Sequence, residues 1–220
     1  MATERKEVQA HGFTWERDLL VNVYKATEEE LKQIKYTDKI DLPAKFNRLD
    51  KCDISIKTSK SKDTICMGDV LRVFDMVDRG EPIHMVVVNY QQLSNKKKIT
   101  NIIEINLTLS RELLFGSLTR MQIEELDKLV KSVPSKRKPT KEEHTKMYCK
   151  RNELQKLSNA IYLNIKCDSK QSRLQCSFNK FQKFIKDNPK IIISMSNTND
   201  FRGGIISHEL ISSPRKFNKK

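Results

Sequence analysis

The chain has 220 residues, of which 37% are hydrophobic and 32% charged, and 42 Lys and Arg outweigh 28 Asp and Glu to give a formal net charge of +14. That length suits one compact domain with a small appended lobe, and six Gly and six Pro exclude collagen-like and Pro-rich disordered classes. A field of that sign attracts polyanions, of which nucleic acid is the commonest in a cell, and binding through phosphate contacts should weaken steeply with salt.

The elements follow in chain order. Residues 3–24 read as a helix whose apolar side is Val8, Phe13, Trp15, Leu19, Leu20 and Val23, interrupted at Gly12. A second helical stretch, 27–34, opens on Thr27 with Glu30 three residues later, the pattern of a capping box. Pro43 breaks any regular element in 36–51. The clearest strand signal is 52–58, where Ile54 and Ile56 alternate with Asp53, Ser55 and Lys57. After a polar turn at 59–63, residues 67–77 read as a helix, with Val70, Leu71, Phe74 and Val77 at core spacing. Strands at 84–90 and 99–109, joined by a turn at 94–98, predict a hairpin. Residues 110–133 read as helix in two pieces broken near Gly116. The segment 134–141 (PSKRKPTK) is a basic, Pro-bounded linker, and 142–157 is helical. Strands at 160–167 and 173–178, a short helix at 180–187, a strand at 190–195, a Gly-containing loop at 199–204 and a frayed basic tail at 214–220 complete the reading. The expected class is α/β (α+β), a central mixed β-sheet flanked by helices with the Lys57 strand inside it.

The five cysteines, Cys52, Cys66, Cys149, Cys167 and Cys176, form no CxxC pair, which argues against zinc fingers and thioredoxin-like redox sites. Cys52, Cys66 and Cys167 lie in or beside apolar runs, as small hydrophobes do. The expectation is a reducing, intracellular location, cytoplasmic or nuclear/viral in a eukaryotic host. The N-terminal residues hold no secretory apolar run, and no stretch approaches the ~20 apolar residues of a membrane span. His11, His84, His144 and His208 show no HxxxH or HNH-like grouping, and no G-x-x-x-x-G-K-[ST] or G-x-G-x-x-G loop is present.

Asp53, Ser55 and Lys57 stand on one face of one strand at period 2, backed by two isoleucines. This lifts a carboxylate, a hydroxyl and an ammonium from a rigid support, as a metal site needs. Phosphodiester hydrolysis uses a metal to polarise the phosphate, a water made nucleophilic, and positive charge where the transition state grows more negative. Carboxylates hold Mg²⁺, and a neighbouring lysine orients the water and neutralises charge.

Around that strand the chain resembles the PD-(D/E)XK nuclease superfamily, in its bacterial and viral type II restriction endonuclease-like group. The similarity covers residues 10–105 best. It runs through Gly12-Phe13-Thr14-Trp15-Glu16 on a helix, then Ile40-Asp41-Leu42-Pro43-Ala44-Lys45-Phe46-Asn47. It continues through Asp53-Ile54-Ser55-Ile56-Lys57-Thr58-Ser59, Ile65-Cys66-Met67-Gly68-Asp69 and the strand ending Asn89-Tyr90-Gln91-Gln92. The resemblance implies a restriction endonuclease-like core in 1–133, with 134–220 completing the domain and contacting DNA. It implies a Mg²⁺-dependent, sequence-specific double-stranded DNA endonuclease, with Lys57 as the family's lysine and Glu16 as the acid of the first helix. Asp41 or Asp53 is the metal-binding aspartate, so that two of Glu16, Asp41 and Asp53 hold Mg²⁺. The chain departs from the family at Ser55, where the second acid normally stands. A non-catalytic nucleic-acid binder, or a repair or recombination nuclease of the same fold, stands as the alternative. Cutting both strands implies a homodimer matching a palindromic target, with residues 110–157 as its interface.

Other side chains fit DNA contacts. Gln91 and Gln92 end an apolar strand, and Lys96, Lys97 and Lys98 are placed in a hairpin turn within reach of phosphate. Lys170, Gln171, Arg173 and Gln175, in a hairpin between two strands, have the side chains that read guanine and adenine in the major groove. Arg202, beside two glycines, is a further contact to phosphate or base.

Overall fold

The computed structural model describes residues 14–34, 40–134 and 137–211. These form a mixed α/β protein that divides into two compact units. The first draws on Met1–Lys62, Pro82–Leu107 and Asn188–Lys220, the second on Asp63–Glu81 and Thr108–Asp187. The units are interleaved along the chain. The basic linker lies inside the second unit.

The first unit is built on a mixed sheet. β1 (Asp53–Ser59) runs parallel to β3 (Ile83–Leu93), and β3 is antiparallel to β4 (Lys96–Asn106). The far side of β4 is shared by β7 (Ile192–Ser196) and β10 (Glu209–Ile211), both antiparallel to it. Every residue from Ile83 to Asn89 is buried, the signature of a central strand covered on both faces. Residues 14–18 form an α-helix, α1, that continues into a π-helical turn, Leu19–Val23. Trp15, Leu19, Leu20, Val23 and Tyr24 from this helix pack on Ile54, Ile56, Val86, Val88 and Ile102 of the sheet. The Trp15 indole N–H also donates to the Ser207 carbonyl at 2.7 Å, which fixes the helix in rotation. α2 (Glu28–Leu31) carries the capping box expected from Thr27 and Glu30.

The second unit has a three-stranded antiparallel sheet ordered β2 (Ile65–Asp69), β6 (Gln171–Phe178), β5 (Ile161–Asp168). Around it lie α3 (Val70–Asp78), α4 (Arg111–Phe115), α5 (Arg120–Lys131), α6 (Lys141–Gln155) and α7 (Phe181–Asp187). α5 and α6 each begin with a capping box, at Thr119 with Gln122 and at Thr140 with Glu143.

Several sequence expectations are corrected. Residues 67–69 are strand, not the first turn of a helix: Cys66 to Asp69 pair with β6 through a bulge, and the Asp69 carboxylate caps α3 by accepting from Arg72 N at 3.0 Å. Helical periodicity over 67–77 was blind to that remote partner strand. Lys96, Lys97 and Lys98 stand in β4, and the turn is the two residues Ser94 and Asn95. The segment 199–204 is not a plain loop but contains a hairpin, β8 (Asp200–Phe201) against β9 (Gly204–Ile205). Its two turn residues, Arg202 and Gly203, both take positive φ, 52° and 78°. The expected helix at 3–13, with Gly12 and Phe13, and the tail at 214–220 lie outside the described residues. Among the described residues no helix is long and apolar enough to cross a membrane.

The break at Gly116 has a steric cause. Its φ is 57°, and an added Cβ would stand 2.3 Å from the Leu157 carbonyl oxygen. Gly116→Ala should therefore destabilise the protein by about 1–3 kcal/mol or more, because left-handed strain and a backbone clash coincide. Urea unfolding of the variant against the wild type measures it, and an unchanged midpoint would refute the close approach.

Candidate active site

β1 is the terminal strand of its sheet, and one residue pair crosses its outer side. Leu42 bridges antiparallel to Ile54: Ile54 N donates to Leu42 O at 2.8 Å, and Leu42 N to Ile54 O at 3.1 Å. Two residues on, Ile56 presents its N–H and C=O to the same side, past the end of the bridge. Buried backbone groups there need partners. The Asp41 carboxylate accepts from Ile56 N at 2.6 Å, and the Lys57 ammonium donates to Ile56 O at 3.0 Å. Lys57 Nζ also donates to Ser55 Oγ at 2.8 Å and lies 3.6 Å from Asp41 Oδ2. The strand edge thus gathers a carboxylate, an ammonium and a hydroxyl, the first two about three-quarters buried.

Glu16, one residue after the buried Trp15, joins them from α1. Burial first, and the Asp41 carboxylate second, push the Glu16 carboxyl up from 4.5 to about 7, while Lys57 pulls it down. Two acids thus stand within each other's field, with one lysine between their demands.

The other residues singled out from sequence are placed as follows. The Asp53 carboxylate accepts from Ala44 N at 2.7 Å, at the start of a short 3₁₀ turn, Ala44–Phe46, so the two aspartates left open by the sequence have different settings. Asp41 is the one beside Lys57. Ser55 is buried and serves Lys57. Gln91 is exposed. Lys96 is exposed and pairs with Glu209 at 3.4 Å, whereas Lys97 is 6% exposed with its ammonium 5.2 Å from the Tyr90 ring centroid. In the second unit, Asp168 organises the β5–β6 turn by accepting from Lys170 N and Gln171 N at 2.7 and 3.1 Å. Those bonds, that to Lys170 first, lower its carboxyl. Lys170 and Arg173 are exposed, and Gln171 and Gln175 are half-buried.

Arg202 is committed inside the first unit. Its guanidinium grips Asp50 with both terminal nitrogens, one at 2.8 Å, and reaches Glu104 Oε2 at 2.8 Å. Glu104, fully buried on β4, meets His84 Nδ1 at 2.8 Å with its other oxygen. Beside them burial pushes the Cys52 thiol from 9.0 up to about 12, with Asp50 and Glu104 adding to it. The sequence held no signal for this cluster, because its members are scattered from 50 to 202 and only the sheet register brings His84 toward Glu104.

Comparison with protein-family models, with curated proteins and with solved structures found no match.

Glu16 gives the site a signature in stability. The folded chain holds a proton there that the unfolded chain releases near 4.5, so this contribution is full below that pH and is lost as pH rises through about 7. Glu16→Gln should be more stable than wild type by about 1–3 kcal/mol at pH 8, with the difference shrinking toward pH 5. Urea unfolding at the two pH values tests it; a difference independent of pH would reject the elevated carboxyl.

Proposed function

We propose that this chain is a Mg²⁺-dependent nuclease acting on double-stranded DNA, with a restriction endonuclease-like core formed by α1, the 40–42 segment, β1 and β3. The observation that carries the reading is the convergence of Glu16, Asp41 and Lys57 at the open edge of one strand. Its order along the chain, acid on a helix, acid before a strand, lysine on that strand, is the order that the PD-(D/E)XK resemblance implies.

The residues fit the ion. Glu16 and Asp41 offer hard carboxylate oxygens, the donor type that Mg²⁺ takes from proteins in ones and twos. Burial first, and the Asp41 charge second, raise the Glu16 carboxyl, and a divalent cation would offset both. Ser55 stands where the family has its second acid, and its hydroxyl holds Lys57 instead. In this reading Glu16 supplies the second carboxylate, and Asp53, bonded to Ala44 N, stays structural.

Bound there, Mg²⁺ would polarise a phosphate oxygen and acidify a water. Asp41 orients its carboxylate through the Ile56 N–H, and Lys57 is held by Ser55 and Ile56 O, poised to neutralise charge on the phosphate and to orient an attacking water. The +14 charge supplies attraction to the duplex. Gln91, Lys96 and Lys98 of the first unit and Lys170, Gln171, Arg173 and Gln175 of the second are the proposed DNA-contacting side chains. A homodimer would bring two such sites to the two strands.

The test is incubation of the purified chain with long duplex DNA, with Mg²⁺ and with EDTA. Discrete fragments with Mg²⁺ alone support the reading, nonspecific or junction-specific nicking points to a repair or recombination nuclease, and binding without cutting points to a non-catalytic DNA binder. Lys57→Ala should retain DNA binding while losing roughly a hundredfold or more in cleavage rate. Wild-type cutting by that variant would overturn the assignment.

A further inference from the structure

A second site lies in the same unit, away from Glu16 and Asp41, and its donors are of another kind. One donor atom from each of Asp50, Cys52 and His84 lies within 4.8 Å of the other two. We propose that these three residues bind a single zinc-class divalent ion, independently of the carboxylate pair at the edge of β1.

Donor chemistry selects the ion. Thiolate, imidazole and carboxylate together suit zinc, whereas Mg²⁺ takes oxygen ligands almost alone. Tetrahedral coordination at about 2.0–2.3 Å puts ligands roughly 3.5 Å apart, so closing from 4.8 Å needs shifts on the order of an ångström.

The surroundings are arranged as a ligand's supporting shell is. Glu104, 0% exposed, meets His84 Nδ1 at 2.8 Å. A proton shared there directs the lone pair to Nε2, the role a carboxylate plays behind a metal-bound histidine. Both Glu104 oxygens are used, one by His84 and one by Arg202, so Glu104 orients rather than ligates. Asn47 Nδ2 points at Cys52, 2.9 Å from its carbonyl oxygen and 3.6 Å from Sγ, which aims the sulfur. Arg202 takes one lone-pair site on each Asp50 oxygen, and a carboxylate has about four, so Asp50 keeps acceptor capacity for an ion. Asp50 and Cys52 flank Lys51, which adopts φ 50°, a left-handed turn that brings two donors two residues apart to one side. A fourth position is left for water or a small ligand.

The deciding experiment uses the intact wild-type chain, freed of metal by a chelator and given one equivalent of zinc. X-ray absorption at the zinc edge should show a single sulfur with nitrogen and oxygen neighbours. A shell of oxygen and nitrogen alone would overturn the proposal. In competition with a chromophoric chelator, Cys52→Ser and His84→Ala should each weaken zinc binding by roughly a hundredfold or more, since loss of supporting groups alone costs 10–100-fold. Cys66→Ser, at an exposed cysteine, should bind zinc as wild type does. Loss of the sulfur signal in Cys66→Ser would refute the assignment. The sulfur signal in wild type is read whether or not the Cys52 variant folds, and it stands apart from any result on DNA cleavage.

Discussion

The structure around the candidate active site depends on how the outer edge of β1 is closed. A bridge from Leu42 to Ile54 covers the first part of that edge and then ends. The next outward-facing peptide groups, those of Ile56, would be costly to bury unpaired. They are met by charged groups, Asp41 on the N–H and Lys57 on the C=O. Satisfying the strand edge and assembling a carboxylate–ammonium site are therefore one event. The hydrophobic cluster of α1 on the sheet then brings Glu16 to the same place, because Trp15 is buried beside it and locked by its bond to Ser207 O.

Each of the two polar sites of the first unit sets two carboxylates against one cationic side chain. At the β1 edge, acids outnumber the lysine and Glu16 holds its proton to near neutrality, an arrangement that gains from an added cation. In the second cluster, Arg202 is bonded to both Asp50 and Glu104, Glu104 also meets His84, and the Cys52 thiol lies beside them.

Much of the local structure was legible in the sequence because its causes are local. Alternating Ile54 and Ile56 set β1, the continuous apolar run of β3 sets a buried strand, and Thr27 with Glu30 caps a helix. Lys57, Asp41 and Glu16 were legible as candidates through order along the chain. The choice between Asp41 and Asp53 was not, since it turns on which carboxylate reaches Ile56 N and which reaches Ala44 N. Residues 67–69 were misread because a strand's partner, here β6 more than a hundred residues away, leaves no trace in helical periodicity.

The sequence by itself determined a basic α/β chain with a Lys57 strand presenting polar groups at period 2, because charge, alternation and capping act between near neighbours. Only the tertiary structure decided that the chain folds as two interleaved units, that Asp41 rather than Asp53 stands beside Lys57, and that Arg202 is spent on Asp50 and Glu104. It alone placed Asp50, Cys52 and His84 together. Such contacts join residues far apart in the chain, and their existence follows from strand register and burial, which no local pattern encodes.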